Sequence, residues 1–110
     1  WPYPPVKGGP SWGAFHSSSL PYIFGTLGHS DRSFTPADHA LSARWQDVIA
    51  AFVRTGNPAL PGRPWPAMRA GRMQVMAFGQ TEGLRPAISS PERLAAWRAY
   101  AASGGRLGLM

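Results

Sequence analysis

With no cysteine in 110 residues, three histidines and five carboxylates are the chain's ordinary material for proton transfer or metal ligation. His16 lies in Gly13-Ala-Phe-His-Ser-Ser-Ser-Leu-Pro-Tyr-Ile-Phe24, among aromatics and hydroxyls and with no carboxylate nearby in sequence. An imidazole, whose unperturbed pKa is about 6.5, can take and return a proton near neutral pH. A partner for it is suggested by Gly9-Pro-Ser-Trp-Gly13, which matches G-x-S-x-G, the pattern of a nucleophilic serine on a strained strand-to-helix turn. That match is rejected on physical grounds. The residues before Ser11 are prolines and glycines rather than a strand, and no helical pattern follows it. From spacing alone His16 reads as a loop histidine satisfied by a backbone carbonyl or by Ser17 to Ser19, because a lone histidine identifies no chemistry. His29, in a Gly/Ser/Asp loop, and His39, on the first turn of a helix and off its apolar stripe, are read the same way. No metal-ligand spacing is present, so no metal site is expected.

The elements that must position His16 are few. Twelve prolines and thirteen glycines point to long loops, while five Trp, five Phe and three Tyr argue against full disorder. Residues 1–13 form a loop with at most a short extended piece from Tyr3 to Lys7. Pro21 opens a helical turn at LPYIF, which Gly25 and Gly28 end before a surface loop. The clearest periodicity places Leu41, Trp45, Val48, Ile49, Phe52 and Val53 on one helix face, with Thr35 as N-cap, Pro36 first, Asp38 facing the helix dipole, and Gly56 and Pro58 as the stop. A helix over 36–54 is expected, its stripe buried against something large. Residues 73–78 read as a short strand, the only one visible, and a lone strand lacks a ladder partner. Ser89-Ser-Pro-Glu92 signals a second amphipathic helix over about 91–103, with Glu92 closing a capping box and Leu94, Trp97 and Ala101 on one face until Gly104. Trp45, Phe52 and Trp97 are read as core, and Asp31, Asp38 and Asp47 as loop, cap and solvated-face residues. Two helices and one strand cannot cover each other's apolar faces. The chain also begins with tryptophan rather than methionine, so it is expected to be processed or cut from something longer.

A net charge of +6 raises nucleic acid as a partner. The ten arginines are scattered singly, however, and form no basic stripe, so nucleic-acid binding is not expected. No apolar run reaches the roughly 18 residues a membrane span needs, and the N-terminus is no signal peptide. The chain reads as soluble, and nothing in it assigns a compartment.

Gly13 to Gly25 resembles the segment around the catalytic histidine of the type B carboxylesterases, the para-nitrobenzyl esterase and cholinesterase-like family. Asp38 to Leu41 with Trp45 and Phe52, then Arg54-Thr-Gly-Asn-Pro58 and Pro64-Trp-Pro66, is similar to that family's downstream helix, its F-x-[RK]-T-G-[DN]-P turn and its W-P element. Met73 to Phe78 looks like the short strand after it, and Ser90 to Ala101 like a terminal helix. The resemblance covers nearly the whole chain in the family's order. It implies an α/β class, the C-terminal portion of an α/β-hydrolase fold. His16 would then sit on the loop after the last central strand as the general acid/base of a carboxylic ester hydrolase, with Phe15, Leu20 and Phe24 lining the pocket. The resemblance further implies that the nucleophile, the acid and the oxyanion hole lie upstream of residue 1, that a small-molecule ester is the substrate, and that no cofactor is needed. The segment alone would be inactive and poorly soluble. The family carries glutamate three residues after the histidine, whereas this chain has Ser19, a neutral hydroxyl in place of a carboxylate. The competing reading is a small stand-alone module that docks a partner on the apolar face of helix 36–54.

Overall fold

A computed structural model describes residues 3–69, 71–79, 81–87 and 90–106. Helix α1 spans Leu20–Ile23, α2 Pro36–Thr55 and α3 Pro91–Ala102, and two strands, β1 Gln74–Ala77 and β2 Gly83–Pro86, lie between α2 and α3. A single 3-10 turn, Leu27–His29, separates α1 from α2.

Helix α2 starts where its caps dictate. The Thr35 hydroxyl accepts from the Asp38 amide while the Asp38 carboxylate accepts from the Thr35 amide, which satisfies two of the orphan donors that open every helix. It runs one residue past the expected 36–54 because Thr55 Oγ1 donates to the Ala51 carbonyl at 2.8 Å and accepts from the Asn57 amide, tying the last turn to the exit. Gly56 then reverses the chain at φ 70, a left-handed conformation that glycine adopts without steric cost. The short turn expected at LPYIF is α1.

The expectation of a single, unpaired strand is overturned. β1 pairs antiparallel with β2 in the register Gln74↔Pro86 to Ala77↔Gly83. Gly83-Leu-Arg-Pro86 escapes a pattern search because its ends carry a turn glycine and a residue with no amide to donate. Both are tolerated in a two-stranded ribbon, where every strand is an edge.

The hairpin is tied to α2 by Glu82. Its carboxylate receives Arg44 Nε at 3.0 Å and Arg44 Nη2 at 2.5 Å on one oxygen and Arg63 Nη1 on the other. Burial pushes the Glu82 carboxyl up, but hydrogen bonds and charge from Arg44 and Arg63 outweigh it and hold the group below its ordinary value. A depressed pKa means stabilisation that is present above the unfolded value, about 4.3, and lost as pH falls through the folded value. Glu82→Gln should therefore destabilise the protein by about 1 kcal/mol at pH 7. Denaturation midpoints of variant and parent should converge when the titration is carried below the folded value; a gap that persists there would assign the effect to packing.

The core is small and aromatic. Tyr3, Tyr22, Leu27 and Leu41 are buried, with Phe34, Trp45 and Phe78 packed against them. Ring contacts at 5.0–6.3 Å link Tyr3 to Tyr22, Tyr22 to Trp45 and Trp45 to Phe78, within the range where edge-on and offset pairs are favourable. The N-terminal segment is laid over this cluster by a bridge between Val6 and Arg32 and by the Arg32 guanidinium, 4.6 Å from the Tyr3 ring centre. This is the short extended piece expected within Tyr3 to Lys7.

Two core assignments fail. On α2, Leu41 and Val48 are buried and Trp45 half-buried, but Phe52 and Val53 are 55% and 77% exposed. On α3 no residue is buried, and Trp97 is half exposed. Phe52 and Trp97 are thus apolar surface among the described residues, not core. Helix α3 is capped by Ser90, whose hydroxyl accepts from the Arg93 amide, and it ends at Ala102, one residue short of expectation. The expected capping box does not form, since its third position is Arg93. Glu92, one place earlier, is held below its ordinary pKa by its own backbone amide and by the Ser90 hydroxyl. Ser89 lies outside the described residues.

The totals agree with these details. The accessible surface is 8388 Å², against about 6,000 Å² for a folded monomer of this mass. The Cα radius of gyration is 17.3 Å, against about 13 Å for a compact domain of this length. More surface is laid out here than a compact chain of 110 residues exposes.

Candidate active site

His16 occupies a tight turn just before α1. The Ser18 amide donates to the Phe15 carbonyl at 3.1 Å, and the Leu20 amide to the Ser17 carbonyl at 3.0 Å, so the turn runs directly into the helix. Ser17 lies at φ 72 and is the one non-glycine residue with positive φ among those described. A left-handed serine costs about 1–2 kcal/mol, a strain that persists only where the surroundings over-determine it. The same residue reaches back to the ring, with Ser17 Oγ 3.0 Å from His16 Nδ1. The residue held at positive φ is thus also the one whose hydroxyl contacts the imidazole. Ser17→Gly should stabilise the protein by about 0.5–1 kcal/mol, the relief of strain less the added unfolded-state entropy of glycine. A thermal melt that moves down instead would show that the hydroxyl contact outweighs the strain.

Beneath the turn the Phe15 ring meets the edge of Tyr3 at 5.3 Å, which anchors the turn to the aromatic core. A cavity of about 170 Å³ lies on the inner side of the turn, lined by Tyr3, Ala14, Ser18, Ser19, Tyr22, Leu41, Trp45 and Phe78. Ser19 therefore faces the interior space behind the histidine. Phe15, Leu20 and Phe24 do not line that cavity; all three are exposed, Phe24 by 69%. Leu20 opens α1 and Phe24 is its C-cap, four residues later. A second cavity, of about 450 Å³, lies between α2, the segment from Pro58 to Trp65 and the hairpin, and shares only Phe78 with the first.

All five carboxylates are described, and each has a place away from His16. Asp38 caps α2, Glu82 joins the hairpin to α2, Glu92 opens α3, and Asp31 and Asp47 are exposed. The ring partner of His16 among the described residues is the Ser17 hydroxyl. His29 and His39 are exposed and distant in role, His29 on the 3-10 turn and His39 beside the Phe34 ring. Ser11 is exposed in irregular chain, with neither strand before it nor helix after it. Among the described residues no group of three His, Asp or Glu could hold a metal ion, and no helix is long and apolar enough to cross a membrane.

One feature of the site escapes sequence reasoning. Tyr22 Oη donates to Asp38 Oδ1 at 2.7 Å and Ser42 Oγ to the Tyr22 carbonyl at 2.7 Å, so α1 is bolted to α2. Asp38 is recognisable as a cap, but its second use joins residues sixteen apart, and no local signal marks that.

Residues 2–97 match the profile of the carboxylesterase family. The chain belongs to that family. The structure is also similar to that of a PNB esterase, with a TM-score of 0.67 and 26% sequence identity over 84% of this chain. This carboxylesterase chain spans a fifth of the length of that enzyme. Its mixture of helices and a two-stranded sheet is accordingly a partial match to an α/β-hydrolase esterase rather than a complete layered sheet.

Proposed function

We propose that residues 1–110 form the C-terminal part of a carboxylesterase domain in which His16 is the general acid/base. The observation that carries this reading is the family match, which runs through the His16 turn and on through both strands. The family match also favours it over a stand-alone docking module. The exposed stripe of α2 fits a larger domain, because Phe52 and Val53 would be covered by the sheet of the complete fold.

The chemistry follows from the ring. As a serine oxygen attacks the ester carbonyl, one imidazole nitrogen takes its proton. When the tetrahedral intermediate collapses, the imidazolium returns that proton to the departing alcohol. Water then enters by the same route, losing a proton to the ring as it attacks the acyl-enzyme, and the serine is restored with release of the acid. The ring must hold one nitrogen in fixed contact and leave the other for the serine. Here Nδ1 is engaged by Ser17 and Nε2 has no partner among the described residues. The serine is contributed by sequence outside these 110 residues, and so is a carboxylate, which in the complete enzyme would take the place of the Ser17 hydroxyl at Nδ1 to orient the ring. Phe15, Leu20 and Phe24 offer apolar surface next to the turn that suits the hydrocarbon part of a small carboxylic ester, and no step requires a cofactor.

The test uses the full-length polypeptide that carries this segment. It should hydrolyse para-nitrophenyl butyrate and be labelled at a serine outside residues 1–110 by a fluorophosphonate, with labelling slowed strongly in His16→Ala. Labelling at the parent rate in that variant would remove His16 from the mechanism.

A further inference from the structure

We propose that Asp38 acts through Tyr22 as a positioning residue for His16; the proposal rests on the reading of His16 as the acid/base. Helix α1 has four residues, far below the length at which a helix persists on its own, so its place is set by what holds it. Two buried hydrogen bonds among the described residues tie it to α2, beside the packing of the Tyr22 ring. The Tyr22 hydroxyl donates to Asp38 Oδ1, and the Tyr22 carbonyl receives Ser42 Oγ, both buried and both reaching α2.

Asp38 is a rigid anchor. Its other oxygen accepts from the Thr35 amide at 2.7 Å and the Thr35 hydroxyl at 2.6 Å, and it sits in the first turn of a twenty-residue helix, where the backbone dipole favours its charge. Rigidity passes from α2 through the Tyr22 ring to α1, and from the first amide of α1 to the Ser17 carbonyl beside the imidazole. The other described anchor of the turn is the Phe15 ring against Tyr3, an apolar contact that fixes distance better than direction. The Tyr22 to Asp38 bond, with the Ser42 bond to the Tyr22 carbonyl, supplies the directional contacts that orient α1 and the turn joined to it, while the ring contacts of Tyr22 fix its depth. A displacement of about 1 Å at a reacting group can cost up to about a hundredfold in rate.

The experiment compares Tyr22→Phe, Asp38→Asn, Val48→Ala and His16→Ala in the full-length enzyme, with para-nitrophenyl butyrate as substrate and kcat expressed per titrated active site. Tyr22→Phe keeps the ring packing and removes only the hydroxyl. It should lower kcat about tenfold to a hundredfold with KM within about twofold of the parent, and Asp38→Asn should fall at least as far. Val48→Ala, which destabilises α2 away from the Tyr22 contact, should leave kcat per site unchanged. Parent-like kcat in Tyr22→Phe overturns the proposal even if Asp38→Asn fails to fold. An equal loss in Val48→Ala also overturns it, by assigning the effect to stability. Full activity in His16→Ala would instead overturn the functional reading and this proposal with it, so the two failures are told apart.

Discussion

On the acid/base role proposed for His16, its replacement with alanine in the full-length polypeptide is expected to lower kcat for ester hydrolysis about 10⁴-fold or more, with KM nearly unchanged. The size of the loss follows from the role. Without a base the serine must lose its proton to water and the alcohol must leave as a poorly stabilised alkoxide, and both steps of the double displacement suffer together. On the proposed reading KM is spared because the substitution removes the proton carrier and leaves the apolar surface of Phe15, Leu20 and Phe24 in place. Residual activity about 10³-fold above water would remain from the oxyanion hole and substrate binding. Steady-state kinetics on para-nitrophenyl esters measures this directly, and a loss smaller than tenfold would mean the turn carries some other role. His16→Asn, which keeps a polar side chain of similar reach but cannot shuttle a proton at neutral pH, should be as inactive as alanine.

The largest expected effect on stability is at Leu41. It is 2% exposed and belongs to the buried cluster with Tyr3, Tyr22 and Leu27. Truncating it to alanine should cost about 3–5 kcal/mol, toward the upper part of the range for buried leucine. The reason is the company it keeps. The rings around it are held edge-on by contacts to one another, so they cannot slide inward to refill the space, and the existing cavity beside Leu41 would enlarge. Chemical denaturation of the full-length protein gives the number. A cost below 1 kcal/mol would show that the cluster relaxes freely and does not set the position of α1. By contrast Phe52→Ser, on the exposed part of the same helix, should change the stability of the 110-residue segment by less than about 0.5 kcal/mol.

Much of the local architecture is legible along the chain. Thr35, Pro36 and Asp38 open α2, the spacing from Leu41 to Val53 gives its period, and Gly56 closes it, because each of these signals acts within one or two helical turns. Ser90 marks the start of α3 in the same way, and the proline and glycine clusters announce the loops. The string around His16 likewise leads to the carboxylesterase family, since a turn with a fixed residue order is a one-dimensional feature.

What joins distant residues is not written in any window of the sequence. The partner of β1, the seating of Glu82 between Arg44 and Arg63, and the bond from Tyr22 to Asp38 each depend on which segments meet in space. Periodicity says that Phe52 and Trp97 belong to apolar faces but not whether anything covers them; the fold leaves both exposed among the described residues. Ser17 is the sharpest case, since serine has no preference for positive φ, yet it takes one in the turn that leads into α1. Residue types and their spacing were enough to identify the helices, with their C-terminal ends within one residue, because capping and periodicity act between near neighbours, and residue order was enough to point to the family. The seating of the turn that carries His16 came from folding alone, because Phe15 within it packs on Tyr3 and Tyr22 in the helix after it bonds Asp38, both far away along the chain.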